Sequence, residues 1–135
     1  MFRYLTLILV LFISACASEQ VSPENAPVPE GPLTQQIQFL VDNNRFDEAF
    51  DKLRLEDSSE PRIMIMIRDT HLHYGNWLMY HAETIHMTER MPEALRHFRR
   101  VLEIDPNNRT ARSNIEQIEA IYAQLGRPVP EGVAQ

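Results

Sequence analysis

The chain has 135 residues, with 13 basic and 19 acidic side chains and a formal net charge of −6. This length holds one globular domain and not two, and the net acidity argues against nucleic acid as the main partner. Cys16 is the only cysteine, so no disulfide forms within the chain and the fold must rest on its core.

Met1-Phe2-Arg3 supplies an amine and one arginine, and the stretch from Tyr4 to Ile13 is apolar apart from Thr6 and the tyrosine hydroxyl. A membrane-spanning helix needs roughly 20 apolar residues, so residues 1–15 read instead as a signal peptide. The stretch closes on Ile13-Ser14-Ala15-Cys16, an aliphatic residue, two small ones and a cysteine. This run resembles the lipobox of bacterial lipoprotein precursors. The resemblance implies cleavage before Cys16, a diacylglyceryl group on its sulfur and acylation of the new amino terminus. Several acyl chains on one residue hold durably, because each buried methylene adds roughly 0.8 kcal/mol. Ala17 and Ser18 follow, with no aspartate at either position. By resemblance to the lipoprotein sorting pattern, this favours the periplasmic side of the bacterial outer membrane. The alternatives are an ordinary secretory signal and an uncleaved anchor.

Without residues 1–15, 12 basic residues stand against 19 acidic ones, a balance of −7. Residues 16–61 carry 10 acids and 3 bases, whereas residues 62–135 carry 9 of each. Arg90, Arg96, Arg99, Arg100, Arg109 and Arg112 are answered only by Glu93, Glu103 and Asp105 between residues 90 and 112. The local excess suits an acidic protein surface or lipid head groups, or simply an exposed helix face.

Residues 16–32 combine the lipidation site with a linker. Pro23, Pro27, Pro29, Gly31 and Pro32 sit among polar residues that bury too little to offset their ordering entropy. An extended proline-rich stretch rises roughly 3 Å per residue, so this one reaches up to about 50 Å from the lipid.

From Leu33 the periodicity is helical. Leu33, Ile37, Leu40 and Val41 share a face, Asn43-Asn44 marks a turn, and Phe46, Ala49, Phe50 and Leu53 form a second stripe. Asp57-Ser58-Ser59-Glu60 is a polar break, and Pro61 suits a first helical position. The run Ile63–Ile67 is compatible with a buried strand, but its two methionines and helical neighbours favour a helix. Gly75 is expected to break or bend the helical run, with the apolar pattern continuing from Trp77 to about Thr88. A helix is predicted over Pro92–Ile104 and another from about Asn108 to Leu125. In the last, Ala111, Ile115, Ile118, Tyr122 and Leu125 face inward. Gly126 and Pro128 stop it, leaving residues 127–135 as a flexible tail.

Arg45-Phe46-Asp47-Glu48-Ala49-Phe50-Asp51-Lys52-Leu53 lies over Arg90-Met91-Pro92-Glu93-Ala94-Leu95-Arg96-His97-Phe98, with arginine, glutamate and alanine identical. A small residue lets two helices approach, and a bulky one a turn later fills the groove between them. With Asp105-Pro106-Asn107-Asn108 after the second copy, the pattern resembles the tetratricopeptide repeat (TPR). The fold expected over residues 33–126 is all-α: a short TPR-like array of helical hairpins with a C-terminal capping helix. The match departs from the family at Trp77, His81 and Ile85, at Ile37 in the first copy, and in its 45-residue offset, which exceeds the usual period by about three helical turns.

By the same resemblance, Asn76, Met79, Glu83, His86 and Met87 would point into the family's concave groove, where two methionines offer an adaptable surface. The alternative is that they pack on the extra helix. The family's carboxylate-clamping lysine and asparagine are replaced at the matching positions by Met79, Glu83 and Met87, so that activity is not carried over.

No catalytic constellation is expected. Glu83-x-x-His86 is half of a di-iron motif without its second half, and His71-x-His73 suits one metal poorly on a helix. No metal or other cofactor is therefore expected beyond the lipid on Cys16. The function read from the sequence is a non-enzymatic adaptor or assembly factor. It would bind an envelope protein of a pilus, secretion or wall machinery while held to the membrane by its lipid. A self-associating structural lipoprotein is the alternative, and a metal-dependent activity on the helical domain is the third reading.

Overall fold

The structure, a computed structural model, describes residues 26–131. The signal peptide, Cys16 and the first part of the linker lie outside the described residues. Those described are all-helical: α1 (Leu33–Asp42), α2 (Phe46–Leu53), α3 (Pro61–Tyr80), α4 (Met87–Ile104) and α5 (Arg109–Gln124).

The α1–α2 hairpin turns at Asn43-Asn44. Asn44 takes a left-handed φ of 59°, a conformation that asparagine tolerates better than other side chains. Its N–H bonds the Val41 carbonyl at 3.0 Å and the next N–H, of Arg45, bonds that of Leu40 at 2.8 Å. This is the paired closure of a Schellman ending with asparagine in the glycine place. Between α2 and α3, Asp57 Oδ1 accepts from the Ser59 N–H at 2.9 Å and its hydroxyl at 2.7 Å. Pro61 is the first residue of α3, as its missing donor allows.

Gly75 does not break α3, which runs through it to Tyr80. Its missing side chain is used by a neighbour: a β-carbon there would stand 2.7 Å from Cε1 of the Phe98 ring on α4. The apolar pattern from Trp77 to Thr88 is thus divided. Trp77–Tyr80 ends α3, residues 81–86 form the turn, and Met87 and Thr88 open α4. That helix begins before Pro92 because His86 caps it, Nδ1 accepting from the Thr88 N–H at 3.3 Å. Pro92 removes only the donor that would meet the exposed Thr88 carbonyl. Arg90 turns back from α4, and its Nη1 donates to the Leu78 and Met79 carbonyls at the end of α3, at 2.9 and 2.7 Å. Asn108 caps α5 through the Ala111 N–H.

Two apolar clusters make the core. Ile37, Leu40, Val41, Phe46, Ala49 and Leu53 form one. The larger gathers Leu78, Met79, Ala82, Met91, Ala94, Leu95, Phe98, Val101, Ala111 and Ile118 from α3, the turn, α4 and α5. Tyr74 and Trp77 pack against both. The repeated windows bury matching positions: Phe46 and Met91, Ala49 and Ala94, Leu53 and Phe98.

One further expectation is corrected, and the described ends of two segments are placed. Leu125 is half exposed, because the core-facing row of α5 runs through Ala111, Asn114 and Ile118 and the helix ends before Leu125. The described part of the tail is docked: Gly126 at φ 62° turns the chain, Val129 packs on the larger cluster, and Arg99 Nη1 donates to the Pro130 carbonyl at 3.1 Å. The end of the linker is held as well. Val28 packs on the first cluster, and Arg45 Nη1 donates to the Ala26 carbonyl.

Candidate functional site

The sequence-predicted groove residues do not share one surface. Met79 is 5% exposed and packs in the core, because the register of α3 turns it toward α4 and α5. Glu83 lies exposed in the turn, His86 is spent as the α4 cap, and Met87 begins α4 on another surface. Met87 there borders a small apolar cleft with Met91, Ile121, Tyr122 and Leu125. Of the five, Asn76 alone belongs to the face that α3 shows between its neighbours.

That face carries Asp69, His73, Asn76 and Tyr80, spaced i, i+4, i+7 and i+11 along one helical stripe. Beside its N-terminal half lies a cleft of about 240 Å³, with Ile37, Val41 and Met66 as the apolar lining and Thr34, Gln38, Asp69, Thr70 and His73 as the polar one. Beside its C-terminal half stands α5. Asn114 Nδ2 donates to Asn76 Oδ1 at 2.7 Å, and the Tyr80 hydroxyl lies 3.0 Å from Asn114 Oδ1 and 3.1 Å from Gln117 Oε1. Buried Asn114 thereby fixes α5 against α3. The stripe combines amide, hydroxyl, imidazole and carboxylate groups over an apolar lining, a set able to hydrogen-bond an extended backbone. The polar spacing of residues 69, 73, 76 and 80 is the signal for this stripe, and it is continuous only when the helix runs through Gly75.

A second constellation lies at the seam of the two clusters. His71 Nδ1 and His97 Nδ1 are 2.6 Å apart, and His97 Nε2 lies 3.2 Å from Glu93 Oε1, which also binds Arg96. Phe50 of α2 packs over both imidazoles, its centroid 4.5 Å from that of His71 and 5.8 Å from that of His97. Phe46 stacks on Tyr74 at 4.5 Å, and Tyr74 meets His97 at the same separation. Aromatic pairs at such distances add about 0.5–1.5 kcal/mol beyond their burial. Beside Phe50 opens a further cleft of about 290 Å³, lined by Leu53, Ile67, Arg54 and Arg100 among others.

Burial pushes His71 down to about 3, helped by the His97, Arg100 and Arg96 charges. Burial also pushes His97 down to about 4, against the opposing pull of Glu93 and with the help of Arg96. Burial works to raise the Glu93 carboxyl, but its bond to Arg96 and the charges of Arg96 and His97 hold it below its ordinary value. Tyr74 is raised by burial and by the charges of Asp47 and Glu93. Both imidazoles are therefore neutral at neutral pH. His73 is exposed on the α3 stripe, away from the shared contact, and His81 is exposed in the turn. Among the described residues no group of three His, Cys, Asp or Glu side chains is placed to hold a metal ion, and no helix is long and apolar enough to cross a membrane.

No protein-family model matches the sequence, and comparison with curated proteins and with solved structures returns no match.

Proposed function

We propose that this chain is a lipid-anchored protein of the bacterial outer membrane, facing the periplasm. Its helical domain is a short TPR-like array that binds an extended segment of another envelope protein along the α3 stripe. The observation that carries this reading is the row Asp69, His73, Asn76 and Tyr80, flanked by the α1 cleft and by α5. The equivalent burial of Phe46 and Met91, Ala49 and Ala94, and Leu53 and Phe98 supports descent of both hairpins from one repeat pattern. The lipobox-like run supports anchoring at Cys16, and a tethered domain meets its partners at a raised effective concentration. The role is that of an adaptor or assembly factor, not an enzyme.

Photo-crosslinking in cells tests it, with probes at Gln38, His73 and Asn76 and a control at exposed Glu116 on α5. One envelope protein captured from Gln38 in the cleft and from His73 and Asn76 on the stripe, and not from Glu116, is the expected result. Equal capture from all four positions, or none from the stripe, counts against this face.

A second reading, self-association, is favoured by the apolar cleft at Met87, Met91 and Leu125, whose rim residues Met87 and Leu125 are 37% and 50% exposed. A strictly monomeric mass in solution would exclude it.

A further inference from the structure

The His71–His97 contact is a junction between the two halves of the molecule. α2 reaches α3 and α4 here through Phe46 and Phe50, which rest on Tyr74, His71 and His97. At 2.6 Å, the two Nδ1 atoms have room for one proton between them. Its owner is set by the other end of His97. Glu93 is ionised and only accepts, so His97 Nε2 carries the proton that faces it. Neutral His97 then has a bare Nδ1, and His71 Nδ1–H is the donor.

This assignment fixes what acid does. A first added proton charges one ring and leaves the shared bond intact, because the other ring keeps a bare Nδ1 to accept it. A second charges the other ring too, and the two Nδ1–H groups then face each other head-on. The contact cannot survive that state. The surrounding charges do not remove the conflict: Asp47 from α2 and Glu93 from α4 favour a proton on His97, while Arg96 and Arg100 of α4 oppose one on His71. From α3 the only facing titratable group is Tyr74, a phenol that stays neutral in acid.

We propose that the His71–His97 pair is an acid-released latch, holding the α1–α2 hairpin against α3–α4 while the rings share one proton and freeing it when each Nδ1 carries its own. The latch is independent of what the α3 stripe binds. α3, α4 and α5 keep their own cluster around Phe98 when it opens, so the helices outlast the seam.

Trp77 is the chain's only tryptophan and sits in the seam, its centroid 5.8 Å from that of Phe46 and 6.0 Å from that of Tyr74. Its emission in the full-length chain, titrated from neutral to acid pH beside far-ultraviolet circular dichroism, reads the latch directly. The expected result is a red shift on acidification, with helix content retained. His71→Phe keeps a ring under Phe50 and should abolish the step. Three results overturn the proposal: an unmoved emission, loss of helix together with the shift, or an unchanged step in His71→Phe. Should that variant fail to fold, nitrogen-15 imidazole spectra of the unaltered chain decide. Protons on His71 Nδ1 and His97 Nε2 at neutral pH support the latch, and the reverse pattern or two charged rings overturns it.

Discussion

Gly75 in the middle of α3 lies flat against the ring of Phe98 on α4. A β-carbon at residue 75 would stand 2.7 to 3.0 Å from three atoms of that ring. Two effects of Gly75→Ala oppose each other. Alanine gains about 1 kcal/mol of helix propensity over glycine, whereas overpacking a filled core costs about 1–3 kcal/mol. Phe98 is fully buried and two of its ring atoms would stand under 3.0 Å from the added carbon, so the steric cost is expected to win. The denaturation midpoint of Gly75→Ala should fall, and a rise would show that Phe98 can shift.

That contact also shows why part of the fold was hidden in the sequence. The stripes of α2, α4 and α5 stand on local periodicity, which one chain segment displays by itself. A glycine inside a helical pattern reads locally as a break, and only the approach of α4 explains it as a crossing point. Between the groove and the packed alternative for Met79 the sequence does not choose, because which side of α3 stays open depends on where α5 lies, through Asn114 and Asn76. His97 carried no signal either. The repeat sets it opposite Lys52, a position that looks solvent-facing, yet Phe50 covers it in the fold.

Arg90 joins the end of α3 to the start of α4, and the repeat alone did not reveal this. Its guanidinium bonds two terminal carbonyls, where the helix dipole favours a cation. Hydrogen bonds to a charged group are worth about 1.5–3 kcal/mol. Arg90→Leu should lose stability in that range by denaturant unfolding. Arg90→Lys should recover only part of it, because an ammonium lacks the rigid fork of a guanidinium. Full recovery with lysine would reduce Arg90 to a point charge.

Acid should lower stability through the two seam imidazoles. His71 and His97 sit at about 3 and about 4 in the folded chain, below the ordinary value of about 6.5 that the unfolded chain restores. The unfolded state therefore binds protons more readily. Stability from neutral imidazoles is complete above about pH 6.5 and is lost as the pH falls toward the folded values, at about 1.4 kcal/mol per unit for each ring. Glu93, held below its ordinary value, acts in the same direction, but only at lower pH. Thermal melts between pH 7.5 and 5 should show a falling midpoint, and a flat profile would mean that solvent reaches the pair.

Cys16 lies outside the described residues, and the described core begins later in the chain. The described core begins with Val28 and Leu33 against the first cluster, and among the described residues every buried apolar one lies at or beyond Ile37. On the proposed reading, lipid at Cys16 adds membrane affinity through its methylenes. Cys16→Ser should therefore abolish incorporation of a clickable fatty acid in cells while the purified domain keeps its circular dichroism and melting midpoint. Label retained in the serine variant would place the acyl group elsewhere and remove the lipobox reading. Lost helix content would instead tie Cys16 to the fold, which no contact of the described residues requires.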